Sequence, residues 1–209
     1  MLPFLAALTL HPGRVYAPIE SQSVEALRVA RRNAVSGNRG RACAVLDSLV
    51  FPDGVTVAVE APGAMEPSVW RGLDSWNSAL GERTFRLRPS GTAADVTVRF
   101  VPSIDRGGDV QGFVDITRTL RWSSSTHEYR LKATIYVRDN VMGRPIRADE
   151  VVNVVAHEAG HLLGLADVSR EDRLMGPMVV GRTKAGPLPE EVDAVVDYRT
   201  LVRQSYPKG

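Results

Sequence analysis

Three metal-ligating side chains, His157, His161 and Asp167, fall within the eleven residues His157-Glu158-Ala159-Gly160-His161-Leu162-Leu163-Gly164-Leu165-Ala166-Asp167, and no unbroken helix can turn all three toward one ion. An α-helix advances about 100° per residue, so His157 and His161 stand ~40° apart on one face, one turn from each other. Glu158 lies about 100° from His157 and ~60° from His161, flanking the metal face without joining it. Were the helix continuous, Asp167 would sit ~15 Å along the axis from His157 and on another face. The helix must therefore stop. Gly164, three residues before Asp167, is the residue type that permits a left-handed reversal at a helix end.

A catalytic zinc takes three protein ligands and keeps a fourth position open. His157, His161 and Asp167 are the candidates for those ligands, with Glu158 beside them as candidate general base. A His-Glu-x-x-His match alone arises by chance in roughly one unrelated chain of this size in a few hundred. The bland alternative is a surface helix with two solvated histidines and a glycine stop. Gly164 and Asp167, both suitably placed on an independently expected helix, weigh against it.

Around this motif the periodicity outlines a domain. Residues 20–35 have a helical pattern, Ser36-Gly37-Asn38 and Arg39-Gly40 read as a stop and loop, and residues 42–50 suit a short helix. After the Pro52-Asp53-Gly54 turn, Val55-Thr56-Val57-Ala58-Val59 reads as a strand. Pro67 opens a helix with Val69, Trp70, Leu73, Trp76 and Leu80 on its apolar face, and Gly81 ends it. Further strands are expected at 84–87, 95–101, 112–119 and 132–137, with loops at 107–108 and 123–126. Asp149 is placed to cap a helix running to about Leu163, and a last helix after Pro189 carries Val192, Val195, Val196 and Leu201. Consecutive strands without intervening helices exclude a simple doubly wound sheet. The expected class is α+β: a twisted, mixed five-stranded sheet with a backing helix, an active-site helix and a C-terminal helix.

Composition narrows the partners. The chain has 209 residues, a formal net charge of +2 and a single cysteine, Cys43. Near-neutral charge gives no electrostatic grip on nucleic acid, and one cysteine allows no intrachain disulfide. Residues 2–10 are almost wholly apolar and Val15-Tyr16-Ala17 resembles a cleavage site, but no Lys or Arg precedes the apolar run. That run is too short to span a bilayer. Residues 1–17 are accordingly read as a signal-like segment, 18–51 as a helical N-terminal extension or propeptide, and 52–209 as the catalytic domain. The expected protein is secreted or extracytoplasmic, a monomer, and without stable membrane insertion.

The run from His157 to Asp167 resembles the extended zinc signature of the metzincin metallopeptidases, and Leu174-Met175-Gly176-Pro177 resembles the methionine turn of their matrixin branch, with Met175 eight residues past Asp167 as in matrixins. Ala94-Asp95-Val96-Thr97-Val98-Arg99-Phe100 is similar to that family's third strand, and the resemblance extends from about Val55 to Leu201. Most metzincins carry histidine where Asp167 stands; the snapalysin-like bacterial proteases are similar in using aspartate, a legitimate zinc ligand.

The resemblance implies a zinc endopeptidase in which zinc activates water, Glu158 moves its proton, and Met175, with Pro177 behind it, forms a floor beneath the imidazoles. It further implies a polypeptide substrate laid along the strand at 112–119 by β-augmentation. Met178, Val179 and Val180 would then make an apolar specificity pocket. One catalytic Zn2+ is the expected cofactor. Calcium at Asp105, Asp109 and Asp115 is a weaker option, since solvated loop carboxylates are common. Cys43 invites comparison with the inhibitory cysteine of matrixin proenzymes, although Arg41-Ala42-Cys43-Ala44-Val45 does not match that motif. Two other classes stay open: a zinc-binding module without turnover, and a zinc hydrolase of non-peptide amides.

Overall fold

The computed structural model describes residues 19–60, 63–106, 110–122, 127–184 and 186–207, with backbone only at 120, 122 and 127. The signal-like segment at 1–17, the loops at 107–108 and 123–126, and Asp109 lie outside the described residues.

Five strands, β1 (Val55–Glu60), β2 (Phe85–Leu87), β3 (Val96–Val101), β4 (Gly112–Trp122) and β5 (His127–Arg138), form one sheet in the order β2-β1-β3-β5-β4. The first four in that order run parallel, while β4 is antiparallel at the edge, with Gly112 opposite Val137 and Trp122 opposite His127. Val114 and Ile116 pack against the core and Asp115 and Thr117 are exposed, as the pleat of an edge strand requires. β4 and β5 both exceed their expected lengths. Arg118, Arg121, Glu128 and Arg130 break the apolar pattern there, but the backbone ladder continues beneath them.

Two helices pack on one another and against the sheet. α3 (Glu66–Leu80) places Val69, Leu73 and Trp76 in the core, fully buried, and ends at Gly81 with φ 67°. α4 (Ala148–Leu162) packs against it where Gly72 leaves no room for a side chain: a methyl there would lie 2.8 Å from the Val152 carbonyl oxygen. The indole Nε1 of Trp76 donates to the Ala156 carbonyl at 2.7 Å, tying the two helices together one residue before His157. Asp149 does not cap α4. Arg147 is the cap residue, and its N–H donates to the Glu150 carboxylate at 2.9 Å, which leaves Asp149 inside the first turn. An acid three residues beyond the cap can reach back to it, and at the N-terminal end it also suits the helix dipole.

α1 (Ser21–Val35) and α2 (Arg39–Val50) form a second core with α5 (Pro189–Gln204), in which Ala30, Val45, Leu46, Leu49 and Val50 meet Tyr198 and Val202. α2 begins three residues earlier than the expected residue 42: Arg39 and Gly40, read as loop, form its first turn. On α5 the buried face runs through Ala194, Val195, Tyr198 and Val202, and Val196 is 46% exposed. A two-stranded ribbon, β6 (Asn140–Val141) and β7 (Arg144–Pro145), separates β5 from α4 and was not expected, because two-residue strands carry no periodicity. Among the described residues, no helix is long and apolar enough to cross a membrane.

Candidate metal centre

α4 carries His157 and His161 on the face turned toward β4. His157 is buried, and its Nδ1 lies 2.8 Å from the Leu174 carbonyl oxygen; the Nδ1 of half-buried His161 lies 2.9 Å from that of Leu165. A carbonyl oxygen only accepts, so these partners assign the proton of each neutral ring to Nδ1 and leave a lone pair on each Nε2.

The helix ends as the spacing requires. Gly164 has φ 94°, its N–H donates to His161 O at 3.0 Å, and Leu165 N–H reaches back to Gly160 O at 3.0 Å. This pair of bonds is a Schellman reversal. It swings the chain so that Asp167 Oδ1 lies 3.1 Å from His157 Nε2 and 3.5 Å from His161 Nε2. The three donor atoms lie within 4.8 Å of one another.

The donor set fits a divalent ion. Two ring nitrogens and a carboxylate oxygen converge there, and their mutual repulsion is offset either by a proton on an Nε2 or by a metal cation. For zinc bonds of about 2.0–2.1 Å, the edge of a ligand tetrahedron is ~3.4 Å, close to both Asp167 separations. The Asp167 carboxyl is held below its ordinary range by its bond to His157, against some burial. Burial opposes protonation of His161, but Glu20, Glu158, Asp167 and the Leu165 carbonyl outweigh it and push the ring up to about 9.

Glu158 is not one of the three donors. It is 2% exposed and lies beneath the edge strand, with the backbone at Val114 favouring its charged form. Burial pushes its carboxyl upward; the two imidazoles pull the other way. Gly112 makes this arrangement possible: a methyl group there would overlap Val154 and stand 2.7 Å from Glu158 Oε1. Together with Ile116, Val168, Pro177 and Met178, these groups line a cleft of about 690 Å³ along β4.

Met175 is fully buried beneath α4, and a methyl at Gly160 would overlap its sulfur. The turn that holds it is anchored on three sides. Met175 N–H donates to Glu191 Oε1 at 2.8 Å, Val168 N–H donates to Met175 O at 2.9 Å, and Lys184 Nζ donates to Gly176 O at 2.8 Å and Pro177 O at 3.2 Å. Of the residues read as a specificity pocket, Met178 lines the cleft, whereas Val179 and Val180 do not. Gly181 N–H is bonded to Glu150 and Lys184 N–H to Asn153, which holds this segment against α4 and turns Val180 onto the main core. Among the described residues, Asp105, Asp115 and Cys43 belong to no metal-binding group.

Sequence reasoning did not single out Glu20, Gly112, Gly160, Lys184 or Glu191. Glu191 alone had a local signal: it lies three residues after Leu188, the spacing at which an acid caps its own helix, and its Oε2 accepts the Leu188 N–H at 2.8 Å. The others act through contacts distant in sequence.

The chain is thus an α+β protein whose His157-His161-Asp167 cluster can hold a metal ion. No protein-family model matches the chain, and no curated protein matches it.

Proposed function

We propose that the chain is a zinc-dependent endopeptidase, a metzincin of the matrixin-like branch with aspartate as third ligand, exported from the cytoplasm and active as a monomer. One observation carries the reading: a buried carboxylate, Glu158, that is not a ligand flanks a three-donor metal cluster at the floor of a cleft bounded by an edge strand. The methionine turn packed under the same helix agrees with it. A module that only bound zinc would have no use for a desolvated carboxylate at that place.

His157, His161 and Asp167 would hold the ion. Bound zinc supplies Lewis acidity at the scissile carbonyl and lowers the pKa of a ligated water to about 7. Glu158 accepts the proton of the attacking water and delivers it to the leaving amine. The free edge of β4 pairs with an extended polypeptide, fixing the scissile bond above Glu158, and Met178 offers an apolar contact to one of its side chains.

Purified protein is expected to cleave casein, to stop on chelation and to recover with zinc. Zinc binding without cleavage of any peptide would favour the binding-module reading, and turnover confined to non-peptide amides would favour the other hydrolase class. Gly112→Ala gives a finer test. Because the added methyl displaces Glu158 and leaves the ligands alone, kcat should fall at least tenfold with zinc content unchanged; an unaltered kcat would count against the placement of Glu158.

A further inference from the structure

We propose that Glu20, just ahead of α1, is a positioning residue of the metal centre, so that the N-terminal helical pair supports the site and does not plug it. This rests on the metal-site reading alone and not on peptidase activity.

Glu20 Oε1 lies 3.0 Å from Nδ1 of His161. That nitrogen is on the opposite side of the ring from Nε2, which faces Asp167. Glu20 therefore meets the back of a ligand and competes for no metal position. The same Nδ1 is hydrogen-bonded to the Leu165 carbonyl at 2.9 Å, so the Glu20 carboxylate adds a negative charge beside a nitrogen whose proton the backbone already fixes. His157 has only the carbonyl of Leu174 at the equivalent nitrogen among the described residues. A carboxylate behind a ligand imidazole fixes its tautomer, restrains its tilt and makes it a stronger donor.

The placement is built and not incidental. Glu20 N–H donates to the Gly164 carbonyl at 2.8 Å, and Ile19 forms an antiparallel bridge with Leu165. Residues 19–20 are thereby laced to the turn that delivers Asp167. Ile19 packs against both hydrophobic cores, and α1 and α2 are held to α5 through the second of them. Backbone and helix together leave the Glu20 side chain little freedom, although it is 32% exposed. An inhibitory segment would have to present a ligand on the Nε2 side; no described group of α1 or α2 belongs to the donor cluster, Cys43 included.

The test is zinc affinity of the full chain, measured by competition with a chromophoric chelator at fixed pH. Absorption spectra of the cobalt(II)-loaded protein serve as a second readout sensitive to ligand geometry. Glu20→Ala is expected to weaken zinc binding about 10- to 100-fold, the range for loss of an outer partner of a metal ligand, and to shift the cobalt bands. Glu20→Gln keeps the shape and an accepting oxygen but not the charge, and should fall between the two. The metal-free melting temperature should be nearly the same in all three.

Wild-type affinity and spectra in both variants would overturn the proposal. So would a loss in Glu20→Ala matched by an equal loss of metal-free stability, with Glu20→Gln indistinguishable from wild type, since the segment would then act only by packing. Wild-type protein that bound no zinc would instead remove the metal-site reading, and this inference with it.

Discussion

Replacing Glu158 with alanine or glutamine is expected to reduce peptide hydrolysis by about 10²- to 10⁴-fold, the usual contribution of a general acid–base group, while zinc content and fold persist. The separation of the two effects follows from position. Glu158 lies outside the three-donor cluster, so its loss removes no ligand. It is buried and its carboxyl is pushed upward by that burial, so the folded state gains little from its charge. Glutamine keeps the shape beneath Gly112 and Val114 but cannot take a proton from water. Steady-state hydrolysis of a casein-derived peptide, with zinc counted by elemental analysis on the same samples, gives both numbers. Activity within tenfold of wild type would end the proposed mechanism. Loss of zinc along with activity would mean that the carboxylate helps to hold the ion.

The parts of the fold legible in the sequence are those whose period is local. β1 and β3, each with a face of buried valines, read as short β-branched runs, and α3 announces itself through Val69, Leu73 and Trp76 at spacings of three and four. The metal cluster was legible for a similar reason: His157, His161, Gly164 and Asp167 all act within one helix and its reversal. Where the reading failed, the cause was non-local. Charged residues at the ends of β4 and β5 pair through backbone bonds that hydropathy does not register. Val196 belongs to an apolar helical pattern, yet Ala194 and Val195 turn to the main core and Tyr198 and Val202 to the second, which leaves it exposed. Glu20 reaches His161 from the start of the first helix, and no spacing rule connects them. The glycines at 112, 160 and 176 give the least warning, because only the neighbouring element shows why a side chain is excluded.

Gly176 shows how much such a position can control. Its backbone needs no left-handed torsion, so conformational preference alone would permit alanine. The obstacle is steric: a methyl there would overlap the carbonyl oxygen of Arg170 and stand 2.8 Å from its carbon. Both are backbone atoms, so no side chain can rotate away. The loop from Val168 to Gly176 must open, and it closes on itself through Val168 N–H to Met175 O at 2.9 Å and Gly176 N–H to Arg173 O at 3.1 Å. That movement reaches the metal ligands from two directions. Val168 is the next residue after Asp167, and Leu174 supplies the carbonyl that faces Nδ1 of His157. Gly176→Ala should therefore destabilise the fold by about 1–3 kcal/mol, as overpacking typically does, lowering the melting temperature by about 2–4 °C for each kcal/mol in a chain of this size. It should also weaken zinc binding at least tenfold. Melting curves with and without zinc measure both, and the zinc-induced rise in melting temperature should shrink as affinity falls. A variant that melted like wild type and kept the full zinc-induced rise would show that the turn yields without moving His157 or Asp167, and the proposed mechanical link between the methionine turn and the metal would be lost.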